Sequence, residues 1–79
     1  MEYYIFVYKN TFDAMNAEKI LKKKKFEFRI MPTPTSITQS CGICTRFEKV
    51  EDVNKIIEDS IVEYKNVYHK SESGFETIK

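Results

Sequence analysis

The chain holds two cysteines, Cys41 and Cys44. Both lie in one segment, Pro32-Thr33-Pro34-Thr35-Ser36-Ile37-Thr38-Gln39-Ser40-Cys41-Gly42-Ile43-Cys44, which also holds both prolines and one of the two glycines. A cysteine thiolate can attack a sulfur–sulfur bond, bind a metal or take up an oxidant. Cys41 is the stronger candidate, because Gly42 permits a positive φ and leaves amide N–H groups uncovered beside the thiol. Ser36, Thr38 and Ser40 add hydroxyls, and exposed amides stabilise a thiolate or a bound anion. Arg29 and Arg46 sit on the outward-reading faces of the two flanking strands. A cationic surround draws a thiol pKa from ~8.5 towards neutrality and makes it nucleophilic. The competing reading is a small, buried, inert cysteine.

The Cys-x-x-Cys spacing invites dithiol chemistry, which in thioredoxin-like motifs opens a helix so that both sulfurs meet on one turn. Here Cys44 falls in an expected strand. Residues three apart in a strand point to opposite faces, so a bridge needs a turn through Gly42. A zinc site needs four ligands, and the two cysteines with His69 supply three. Two chains pooling Cys41 and Cys44 would reach four, so a metal-binding homodimer stays open while no metal is expected in one chain. His69, on a short strand without partner spacing, reads as a surface or half-buried residue.

These residues must be positioned by ordinary helix and strand. Tyr3 to Tyr8 is a run of β-branched and aromatic residues, as in a covered central strand. Asn10 or Thr11 can cap a helix from Phe12 to about Lys24, with Asp13 in its first turn. Its apolar stripe is Ala14, Ala17, Ile20 and Leu21, and Glu18–Lys22 form an i,i+4 pair. Lys22 to Lys25 suit the negative C-terminal end of that helix. Phe26 to Met31 alternates as a half-buried strand, which Pro32 and Pro34 end. Ile43 to Phe47 alternates again and pairs antiparallel with it, so the cysteine segment becomes the loop of a wide hairpin. From about Lys49 the period is helical, with Val50, Val53, Ile57 and Ile61 or Tyr64 inward and Glu51–Lys55 paired. Its end falls near Ser60 or at Asn66, the latter suiting a left-handed cap. Asn66 to about Lys70 reads as a last strand.

The order β-α-β-β-α-β predicts an α+β, ferredoxin-like two-layer sandwich: an antiparallel sheet with two helices on one face. Residues 1–70 form the single domain, and residues 71–79 are a tail that frays or adds a short edge strand. A chain of 79 residues has room for one domain and buries only roughly 60–65 % of its unfolded surface. Hydrophobic residues make up 42 % and charged residues 32 %, which places the chain among globular rather than disordered proteins.

The net charge of +1 speaks against nucleic acid, as does the lack of a basic field around a stacking sheet. No apolar run approaches the ~18–20 residues of a membrane span. The N-terminus enters a strand without a basic leader. A cytoplasmic protein without a membrane partner is expected, whose two cysteines are thiols or ligands rather than a structural staple. No phosphate-binding glycine loop, serine–histidine arrangement or carboxylate pair appears, and no cofactor is expected.

Ala17-Glu18-Lys19-Ile20-Leu21-Lys22, then Pro32-Thr33-Pro34, then Ser36-Ile37-Thr38-Gln39-Ser40-Cys41-Gly42 and Arg46-Phe47 together resemble the small domains described as putative selenium/sulfur carrier-like proteins. The resemblance runs from the first strand to about Tyr68, and Pro-Thr-Pro followed by Ser-Cys-Gly is its most specific part. It implies a carrier in which Cys41, matching the family's cysteine, holds sulfur or selenium as a persulfide or selenopersulfide. Protein donors and acceptors of the chalcogen are then the partners. The family pattern often places an arginine after Pro-Thr-Pro, where this chain has Thr35. Cys44 lies outside the family's defining pattern.

The first reading is therefore a chalcogen carrier or sulfurtransferase-like protein. In it Cys41 holds the cargo, Pro32, Pro34 and Gly42 shape the loop, Ser36, Thr38 and Ser40 supply hydrogen bonds, and Arg46 supports the anion. The alternatives are a dithiol or dimeric metal-binding module using Cys41 and Cys44, and an interaction domain without chemistry. The residues do not decide whether the chain is an enzyme.

Overall fold

Tyr3–Val7 forms β1, the middle strand of a five-stranded antiparallel sheet. It is followed by α1 (Thr11–Lys23), β2 (Arg29–Pro32), β3 (Ile43–Phe47), α2 (Val50–Glu58), β4 (Asn66–Ser71) and β5 (Gly74–Thr77). The spatial order is β2-β3-β1-β4-β5, with every neighbouring pair antiparallel. This computed structural model describes residues 2–37 and 42–79. The described residues are thus α+β, with two helices and one sheet.

Strand alternation splits β1 between two environments. Phe6 and Tyr8 point to the side covered by the helices, where Ala14, Ala17 and Leu21 of α1 and Val53 and Ile56 of α2 complete the main core with Phe47 and Val67. Phe6 meets Phe47 and Tyr64 edge-on, each at 5.3 Å between ring centres, the geometry that aromatic quadrupoles favour. Tyr8 is fully buried, and its hydroxyl shares a 2.8 Å hydrogen bond with Thr45 Oγ1. That bond gives two polar groups in the core a partner, as burial requires.

Both helices start and stop for local reasons. Asn10 caps α1, its side chain accepting the Asp13 N–H at 2.8 Å. Glu18 and Lys22 pair at 2.9 Å as the spacing predicts. At the C-termini the chain turns through left-handed residues that are not glycine, Lys25 (φ 63) and Ser60 (φ 50). Phe26 N–H then donates back to the Leu21 carbonyl and Ile61 N–H to that of Ile56. This six-to-one closure satisfies the last carbonyls of each helix and lays an apolar side chain against it.

Several expectations need correcting. The second strand begins at Arg29, not Phe26, because the left-handed Lys25 turns the chain; Phe26 and Phe28 still pack on the core from outside the ladder. Pro32 is the last residue of β2, opposite Ile43, instead of ending the strand before it. β2 is an edge strand, where a missing N–H costs no ladder bond. On α2, Ile56 is buried whereas Val50 is exposed and Ile57 only half-buried, and the helix stops at Glu58, short of Ile61 and Tyr64. Lys55 pairs with Asp59 at 3.5 Å rather than with Glu51. Asn66 opens β4, and Ser60 takes the left-handed position instead. Beyond β4, Gly74 at φ +118 allows the tight turn that brings β5 alongside.

Candidate functional site

The hairpin between β2 and β3 carries the segment that the thiols single out. Its base is closed by the Thr33 N–H, which donates to the Gly42 carbonyl at 3.0 Å. Above the base, Pro34 to Ile37 makes a tight turn, with the Ile37 N–H donating to the Pro34 carbonyl at 3.1 Å. Thr35 and Ser36 are the exposed corner residues of that turn. Thr33 is 3 % exposed and Ile37 6 % exposed, so the loop's first half is packed down.

Its floor is the helix-free side of the sheet. Ile37 belongs to one buried cluster with Ile5, Val7 and Cys44, and Tyr3, Met31, Tyr68 and Phe75 pack around its margin. Cys44 is fully buried there, with its Sγ 3.8 Å from the Pro32 carbonyl oxygen, to which the thiol donates. Cys44 is thus a residue of β3, as the alternation of Ile43 to Phe47 predicts, and its side chain lies on the helix-free side of the sheet. Ile37 was overlooked in the sequence, although it is the one large apolar side chain between Pro32 and Cys41. That was the signal available: an isoleucine among threonines and serines is a buried anchor.

The remaining site residues divide plainly. Pro32 and Ser36 are exposed, Pro34 is half-buried and Gly42 is exposed. Thr38, Ser40 and Cys41 lie outside the described residues. Among the described residues, Gly74 is a glycine with a positive φ. Gly42 continues the hairpin as the acceptor for Thr33, and a Cβ built on it meets nothing within 4 Å. His69 is half-buried on β4, stacked on Tyr4 at 4.7 Å, with Nε2 2.8 Å from Glu2 Oε1. Among the described residues no group of three His, Cys, Asp or Glu side chains gathers to hold a metal ion.

Arg46 provides a positive charge on this side. It lies two residues beyond Cys44 on the same face of β3, with its guanidinium 4.0 Å from the centre of the Tyr3 ring. A guanidinium over a tyrosine face is held by cation–π attraction while its N–H edge remains usable. Glu48 approaches it at 3.4 Å. Arg29 is its direct register partner across the β2–β3 ladder, so the two arginines do lie side by side. Their Cα atoms are then about 4.5–5.5 Å apart, as in any antiparallel pair.

A sequence model of the family described as "Putative Se/S carrier protein-like" matches residues 3–69. The chain belongs to this family. The matched span runs from β1 to the middle of β4 and includes the whole hairpin. No curated protein and no solved structure matches the chain. Within this Se/S carrier-like domain, β5 is the one strand outside the matched residues. Among the described residues no helix is long and apolar enough to cross a membrane.

Proposed function

We propose that the protein carries a chalcogen atom on Cys41, in a single cytoplasmic domain built on a ferredoxin-like frame. The carrying observation is the family match across the hairpin that holds Cys41. The strand order β2-β3-β1-β4 with two helices on one side supports the frame. The site gains further support from its construction: a loop closed at its base and seated by Ile37 on a rigid sheet, with Arg46 on the same side.

The chemistry asked of Cys41 is thiol–persulfide exchange. Its thiolate attacks the outer sulfur of a donor protein's persulfide, a new sulfur–sulfur bond forms on Cys41, and the donor cysteine leaves as a thiolate. An acceptor thiolate then takes the outer sulfur by the same step, and Cys41 leaves as the thiolate. No oxidant or reductant is consumed. Arg46 favours the anionic form at both stages, Ser36, Thr38 and Ser40 supply hydrogen bonds, and Pro32, Pro34 and Gly42 shape the loop. Incubation with a cysteine desulfurase and cysteine, followed by intact-mass analysis, tests this. The expected result is a gain of about 32 Da, one persulfide sulfur, which Cys41→Ser abolishes. No adduct under conditions that load a known carrier sinks the reading.

One observation favours a dithiol variant: Cys44 lies on the loop side of the sheet, beneath Ile37. Replacing Cys44 by alanine separates the two, because a carrier still loads at Cys41 and a dithiol module does not.

A further inference from the structure

The register places Arg29 directly opposite Arg46 on neighbouring strands. Like charges in that position are unfavourable, so the arrangement calls for an explanation. Both residues line a groove of about 650 Å³ at the β2 edge, together with Phe28 and Ile30. The other charges of the groove are matched. Lys22 pairs with Glu18 at 2.9 Å, Lys49 with Glu27 at 3.0 Å and Arg46 with Glu48 at 3.4 Å. Arg29 has no carboxylate within ion-pair distance among the described residues. It is the surplus cation of the groove. Arg46 is pre-oriented by the Tyr3 ring, and Glu48, which pairs with it at 3.4 Å, is 57 % exposed.

Two arginines on one rung of the ladder and lining one groove, Arg46 stacked on Tyr3 and Arg29 surplus, match a tetrahedral oxyanion, which a guanidinium can grip with two N–H donors. The aromatic and aliphatic side chains beside them suit an apolar group attached to that anion. We propose that Arg29 and Arg46 form a binding site for a phosphate group borne on a small organic ligand. None of its residues belongs to the loop, and Arg29, which the cargo chemistry at Cys41 does not use, is the residue that separates the two readings.

Amide chemical-shift titrations of the whole chain and of its Cys41→Ser form, with inorganic phosphate, phenyl phosphate and a short single-stranded oligonucleotide, test it. Sodium chloride at matched ionic strength is the control. Phosphate is expected to shift Arg29, Arg46 and their strand neighbours, and phenyl phosphate to bind more tightly. Arg29→Ala should weaken binding at least about tenfold, the loss of one charge-assisted contact. It should leave thermal stability unchanged or higher, since it relieves the like-charge pair. Glu48→Gln should strengthen binding by removing the competing carboxylate. Equal behaviour of Cys41→Ser separates this result from any failure of persulfide loading. An oligonucleotide that binds through the same arginines far more tightly than phenyl phosphate supports the arginine site but overturns the small ligand. Shifts no larger than those of chloride, unchanged binding in Arg29→Ala, or a response centred on Lys22 to Lys25 overturns the site.

Discussion

Replacing Ile37 by alanine tests whether the loop is held to the sheet by one side chain. The substitution removes three carbons from a position that is 6 % exposed. At about 0.8 kcal/mol per buried carbon the loss of transfer free energy is roughly 2.4 kcal/mol. The cavity contribution is small, because a surface loop closes over the gap more readily than a core does. A net cost of about 2 kcal/mol is expected, which raises the population of the undocked loop about 30-fold. Cys44 reports that opening, because it is fully buried in the same cluster. In a Cys41→Ser background Cys44 is the remaining thiol. Its alkylation rate should rise about 30-fold in Ile37→Ala, provided the loop recloses faster than the reagent reacts. The main core does not contain Ile37, so the denaturant midpoint should fall by less than the full 2 kcal/mol implies. An unchanged alkylation rate would refute the idea that Ile37 covers Cys44. A rise matched by an equal global loss would show that the loop is not a separate unit.

Gly74→Ala, at φ +118, should cost about 1–3 kcal/mol, which a thermal melt of the variant checks. Lys49 should titrate above its ordinary 10.5, first because it hydrogen-bonds Glu27 and further because that carboxylate, Asp52 and Glu51 lie near. The folded value being the higher one, its contribution to stability is fully present below about 10.5 and fades as pH climbs through the folded value. Side-chain NMR titration should show that shift, and Glu27→Gln should reduce it.

The sequence was most legible where one pattern acts alone. The alternation of Tyr3 to Val7 and of Ile43 to Phe47 sets both faces of the sheet, and Asn10 with Asp13 marks the start of α1. It was least legible where two preferences compete. At Lys25 and Ser60 the chain adopts a left-handed turn without the glycine that normally announces one, and the starts and stops of neighbouring elements shift accordingly. The tail was ambiguous for a related reason: Phe75 to Thr77 has strand-like residues, but only the hairpin through Gly74 supplies a partner. Among site residues, the place of Cys44 in β3 follows from the alternation of Ile43 to Phe47, whereas the Arg29–Arg46 pairing depends on a register that alternation alone leaves open. The seating of Ile37 depends on a long-range contact with Ile5 and Val7, which spacing along the chain does not encode.

The two sides of the sheet have separate interiors, a large one beneath the helices and a small one beneath the hairpin. Selection can therefore act on them separately. The segment between Pro32 and Ile43 works as a cassette: a different insert, tied by the same base hydrogen bond and one apolar anchor, would inherit a finished scaffold. Protein engineers could exchange that cassette to install a new reactive group while leaving the helical side untouched.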